Sequence, residues 1–68
     1  MDIEIGAKYR HFKGNIYIVK DIGVNTETNE EMVVYSPINN EKLVWIRPAK
    51  MWNEMIDNNT KRFEKVDS

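Results

Sequence analysis

Ile16 to Val24 carries apolar side chains on both faces of a single strand-like run, and this constrains the fold more than any other segment. By simple alternation Ile16, Ile18, Ile22 and Val24 share one face, while Tyr17 and Val19 share the other. A strand that is apolar on both sides near its start belongs inside a sheet that curls, and Gly23 offers the place for a bend or bulge.

The neighbouring segments support a β-rich reading. Lys8 to Phe12 alternates as a short strand, and Lys13-Gly14-Asn15 supplies residues that tolerate a tight hairpin turn. The polar stretch Asn25 to Glu30 reads as a second turn. Met32 to Ile38 is a third strand, ended by Ser36-Pro37, and Asn39 to Lys42 is another turn. Leu43 to Arg47 is a fourth strand, followed by Pro48 in the first turn of a short helix. Met51, Trp52, Met55 and Ile56 share one face of that helix, Asn58-Asn59 ends it, and Lys61 to Val66 returns as a last strand. The expected architecture is mainly β: a small, strongly bent SH3-like barrel of four to five strands with one short C-terminal helical turn. An open meander packed on the helix is the alternative. Residues 1–68 form a single domain, with 1–6 as a lead-in and 66–68 as a disordered tail.

With 68 residues and no cysteine, stability must come from apolar packing, without a disulfide or thiolate–zinc staple. One histidine is too few for a His-based metal site, and no cofactor motif is present. Ten basic and eleven acidic residues give a net charge of −1, which argues against bulk attraction to nucleic acid or anionic lipid. The apolar runs are too short for a membrane-spanning helix or a signal segment, so a cytoplasmic location is expected. The charge is nevertheless segregated. Every charge from Lys8 to Lys20 is basic and every charge from Asp21 to Glu41 is acidic. Such a two-signed surface orients a charged ligand or sets pairing between protomers, or else reflects cross-strand ion pairs.

The spacing Tyr9-x-His11-Phe12-Lys13-Gly14-x-x-Tyr17-x-Val19, followed by Thr26-Glu27-Thr28, Val33-Val34-Tyr35, Trp45-x-Arg47-Pro48 and Met51-Trp52, resembles the DUF1653 family. The likeness runs from about Tyr9 to Phe63. It implies a short, mostly bacterial, compact β-rich protein without an assigned activity. Asn25 stands where the family commonly has a histidine, which weakens any site needing two imidazoles. Ser36-Pro37-Ile38-Asn39 replaces a Leu-Tyr-Gly-like turn, which marks that turn as variable rather than reactive.

The candidate ligand-binding residues are Tyr9, Arg10, His11, Lys13, Tyr17, Glu27, Thr28 and Arg47. Tyr9 to Tyr17 mixes aromatics with Arg10, His11 and Lys13, too polar for plain core and too aromatic for plain surface. His11 is either a site imidazole or a strand histidine bonded to backbone. Thr26-Glu27-Thr28 could accept a ligand's donors, or be an ordinary turn closed by its own hydroxyls. Arg47 ends an apolar strand and can offer a planar fork to a carboxylate or phosphate, or pair with Glu27 or Glu54. Tyr9 and Tyr17 are expected at a wet edge, and Trp45 and Trp52 in the core.

No phosphate loop, nucleophile elbow or paired-carboxylate motif is present, so catalysis is not expected. The leading expectation is a non-catalytic binding module for a small anionic ligand or peptide. A homo-oligomeric or other protein–protein interaction role is the alternative, and nucleic-acid binding through Lys8, Arg10, Lys13 and Lys20 is a weaker one.

Overall fold

The computed structural model describes residues 3–66. Its strands are β1 (Lys8–His11), β2 (Ile16–Val24), β3 (Glu31–Pro37), β4 (Trp45–Pro48) and β5 (Phe63–Val66), with helix α1 (Ala49–Trp52) between β4 and β5. They form one antiparallel sheet in the order β4-β3-β2-β1-β5. The expected closed barrel is not formed. Among the described residues β4 and β5 remain the two edges of an open sheet, nearer to the open meander.

The sheet is nonetheless sharply curled. In a flat sheet, β4 and β5 would lie four strand spacings, about 19 Å, apart. Here the Arg47 guanidinium of β4 lies 5.6 Å from the Phe63 ring of β5, and Tyr35 of β3 lies 5.9 Å from the same ring. Side chains, rather than backbone hydrogen bonds, bridge the mouth of the cup.

Part of this curl traces to β2. Its register with β3 shifts between Val19 and Asp21, so the extra residue is Lys20, not Gly23. A bulge tightens local twist and reverses the alternation beyond it. Ile22 therefore pairs with Val33 on the inner face, beside Tyr17 and Val19, rather than with Ile16 and Ile18. Simple alternation put Ile22 on the wrong side because it assumed an unbroken ladder.

The inner face carries the core: Tyr9, Tyr17, Val19, Val33, Tyr35 and Phe63, capped by Ile3, Ala49 and Trp52. Trp52 is the plug. It stacks on Phe63 at 3.7 Å and meets Tyr35 and Tyr9 edge-on at 4.9 and 5.4 Å. The helix that delivers it has four residues, far shorter than the spacing through Ile56 predicts. Pro48 ends β4 and is the N-cap, one position before the expected first turn. Met51, Met55 and Ile56 are exposed, and Met55 instead bridges Lys61. One turn suffices to seat the indole, so no second turn is specified by packing.

The lead-in is also structural. Gly6 N–H donates to the Val19 carbonyl at 2.8 Å, and Ile3 is buried. At the other end, Val66 completes β5, and Asp67 and Ser68 of the expected disordered tail lie outside the described residues. No helix among the described residues is long and apolar enough to cross a membrane.

Gly14 turns the first hairpin with φ of +109°, bonded to the His11 carbonyl at 2.7 Å. A Cβ there would meet nothing within 4 Å, so Gly14→Ala should cost backbone strain alone, about 1–3 kcal/mol. A urea midpoint unchanged from the parent would show that the turn relaxes into another conformation.

Candidate functional site

The curl gathers residues from every strand around one hollow of about 350 Å³ at the first-hairpin end of the cup. His11 closes β1, Phe12, Lys13 and Asn15 come from the hairpin turn, and Tyr17 and Tyr35 rise from β2 and β3. Trp45 and Arg47 project from β4, two residues apart and therefore on the same face. Arg62 and Phe63 complete the wall. No carboxylate lines this hollow, although the chain as a whole is slightly acidic.

Each cation is held differently. Arg47 donates Nε–H to the Tyr35 hydroxyl at 3.3 Å and lies over the Phe63 ring. No carboxylate pairs with it among the described residues, so the terminal N–H groups of its fork are uncommitted. Arg62 is anchored by Glu54 at 2.6 Å, and its backbone is pinned by bonds from Phe12 N–H and to the Glu54 carbonyl. The buried Arg62 Nε–H has no acceptor among the described residues. Lys13 Nζ lies 5.9 Å from the Phe12 ring centroid. Arg47 faces an aromatic ring and Lys13 skirts one, while Arg62 is held by a carboxylate.

His11 is the polar centre of this cluster. Lys13 N–H donates to its Nδ1 at 3.2 Å, so the neutral ring carries its proton on Nε2. Phe63, Phe12 and Tyr17 surround the imidazole at 4.9, 4.5 and 6.4 Å. Burial, and then the charges of Arg47, Arg62 and Lys13, hold its pKa below the ordinary 6.5. A depressed histidine is protonated first in the unfolded chain, so its contribution to stability is lost as pH falls through 6.5 and levels off below the folded value. An anion in the hollow offsets the guanidinium field and must raise that pKa by linkage. NMR titration of the imidazole should therefore show a midpoint below 6.5 that climbs when phosphate is added. A midpoint indifferent to phosphate would place the anion elsewhere.

A family profile described as protein of unknown function, DUF1653, matches residues 7–65, almost all of the described chain. The chain belongs to the DUF1653 family. A crystal structure of a DUF1653 protein from Bordetella bronchiseptica superposes with a TM-score of 0.78 at 31% identity, covering 96% of this chain and 88% of the other. No curated protein matches.

The DUF1653 motif does not converge on one patch. His11, Lys13, Tyr17 and Arg47 meet in the hollow, together with the motif residues Phe12, Tyr35 and Trp45. Glu27 and Thr28 do not. They occupy the β2–β3 turn, at the far end of β2 from the first hairpin, about 26 Å away for eight residue steps. That turn is closed by itself: Asn25 Oδ1 accepts from Glu27 N–H, and the Thr28 hydroxyl bonds Glu30. Arg10 alternates to the outer face, opposite Ile16 and Glu64. Tyr9 is buried, and its hydroxyl accepts from Glu4 N–H at 2.9 Å. Tyr17 too is buried, although one side of it lines the hollow.

The expected wet edge is Trp45 instead, 42% exposed because β4 is an edge strand. Glu54, considered as a partner for Arg47, binds Arg62, and Glu27 is out of reach. Arg62 was missed because it lies in a polar run, Thr60-Lys61-Arg62, whose only tell is the aromatic Phe63 beside it. The segregated charges partly neutralise one another, through Lys20–Glu41 at 2.7 Å and Lys50–Glu30 at 3.0 Å.

Proposed function

We propose that this chain is a non-catalytic binding module whose cationic, aromatic-walled hollow takes a small anionic group, a phosphate or a carboxylate. One observation carries the reading: the Arg47 fork, free of any carboxylate among the described residues, stands beside Arg62 and Lys13 in a hollow that no acid lines. A guanidinium laid over a ring, as Arg47 lies over Phe63, is weakly hydrated and keeps a bidentate geometry that suits such oxyanions. The neutral His11 adds a donor through Nε2–H. Calorimetric titration with inorganic phosphate and with acetate tests the reading. Saturable binding that weakens in Arg47→Ala and not in Arg10→Ala supports it, and equal affinity in the two variants overturns it.

The outer face favours a second reading, self-association through β4. On that face Val44 and Ile46 are 57% and 62% exposed and carry no charge, beside Met32 and Val34 of β3. An uncharged apolar face of this kind can cover itself against a second copy. Sedimentation showing a concentration-independent monomer would remove this reading.

A further inference from the structure

A second hollow, of about 220 Å³, adjoins the first, and its character is different. Asn15, Tyr17 and Trp45 line both, so the two are continuous along the Trp45 indole. Beyond the indole the lining becomes uncharged: Ile16, Pro37, Ile38 and Asn39. A ligand spanning both would meet cations at one end and an uncharged surface of indole and amide groups at the other.

Trp45 is the hinge of the argument. It is exposed, yet it is held from behind by Tyr17 at 5.7 Å and by Tyr35, edge-on, at 5.9 Å. Its orientation is thus fixed before any ligand arrives, which limits the ordering cost of stacking. The side-chain amides of Asn15 and Asn39 make no hydrogen bond among the described residues. An amide offers both donor and acceptor, which matches the edge of a heterocycle and not a plain hydrocarbon. Pro37, paired with Tyr17 across β2 and β3, adds an apolar contact beside the indole.

We propose that this second hollow is a ring subsite, and that the preferred ligand is a planar heterocycle bearing a phosphate, of the nucleoside monophosphate class. The phosphate lies against Arg47 and Arg62, and the ring lies along Trp45 within reach of Asn15 and Asn39. This rests on the anion reading above and adds the ring to it.

The test compares inorganic phosphate, ribose 5-phosphate and adenosine 5′-monophosphate by calorimetry, with Trp45→Ala and Trp45→Phe beside the parent. Stacking on one ring is expected to make the nucleotide bind about tenfold to a hundredfold more tightly than the two ring-free phosphates. Trp45→Ala should erase that advantage, so that within this variant the nucleotide binds no more tightly than the two ring-free phosphates, and Trp45→Phe should restore most of it. Trp45 is 42% exposed and its covered side packs on Tyr17 and Tyr35, so Trp45→Ala should melt earlier than the parent; urea and melting curves are taken first and binding is measured where each variant is folded. Phosphate binding with no nucleotide advantage overturns the ring subsite and leaves the anion site standing. A nucleotide advantage that survives Trp45→Ala also overturns it. Failure of all three ligands to bind overturns both readings.

Discussion

Trp52→Ala is expected to lose about 3–5 kcal/mol of stability, enough to leave much of the chain unfolded at room temperature. A domain of this length has only on the order of 3–10 kcal/mol in hand. Trp52 is 1% exposed and touches Tyr9, Tyr35 and Phe63, so its removal opens a cavity bounded by three strands. Collapse cannot fill it cheaply, because α1 is a single turn tied to the sheet mainly through this side chain and Ala49. Trp52→Phe separates shape from chemistry. It keeps a ring against Phe63 and removes an indole Nε1–H that is buried without an acceptor among the described residues. Its loss should be clearly smaller. Urea unfolding followed by circular dichroism checks both variants, and a Trp52→Ala midpoint near the parent's would show that the cup does not depend on its plug.

Arg47→Ala should do the opposite, sparing the fold and removing the ligand. Its structural ties are one 3.3 Å bond to Tyr35 and a cation–π contact with Phe63, together worth about 1–2 kcal/mol. Its tie to an oxyanion is charge-assisted, worth about 1.5–3 kcal/mol, or tenfold to somewhat over a hundredfold in affinity. Arg47→Lys keeps the charge without the fork and should fall between. Calorimetric titration with phosphate, beside a urea curve for each variant, separates the two effects. If Arg47→Lys binds as well as the parent, geometry is irrelevant and only charge matters. If Arg47→Ala unfolds, the guanidinium is a structural strut and the site loses its main residue.

The elements that local patterning could reach were legible in the residues. Tyr9 to Tyr17, with Gly14 at its tip, announced a hairpin because turn chemistry is local, and β2 has the bounds its apolar run indicates. The mainly-β class followed from the turns. What remained hidden was set by long-range geometry. The Lys20 bulge leaves no mark in the sequence, yet it decides that Ile22 faces inward and helps curl the sheet. The sheet stays open because β4 and β5 approach through the side chains of Arg47 and Phe63, and a pattern of apolar residues cannot distinguish that from a closed barrel. Half of the candidate site residues, His11, Lys13, Tyr17 and Arg47, do come together. Glu27 and Thr28 stand apart because membership of one sequence motif does not fix distance in the fold, and their turn lies at the opposite end of β2 from the first hairpin. Arg62 was invisible for the converse reason: nothing around it looks unusual until β5 is laid against β1.

Backbone amide chemical shifts followed during a phosphate titration put the anion-binding claim to its most direct trial. The account predicts saturable shifts concentrated on His11 to Asn15, Arg47, Arg62 and Phe63, the segments around the hollow. Shifts centred instead on Lys8, Arg10 and Lys20, or none at tens of millimolar phosphate, would contradict it.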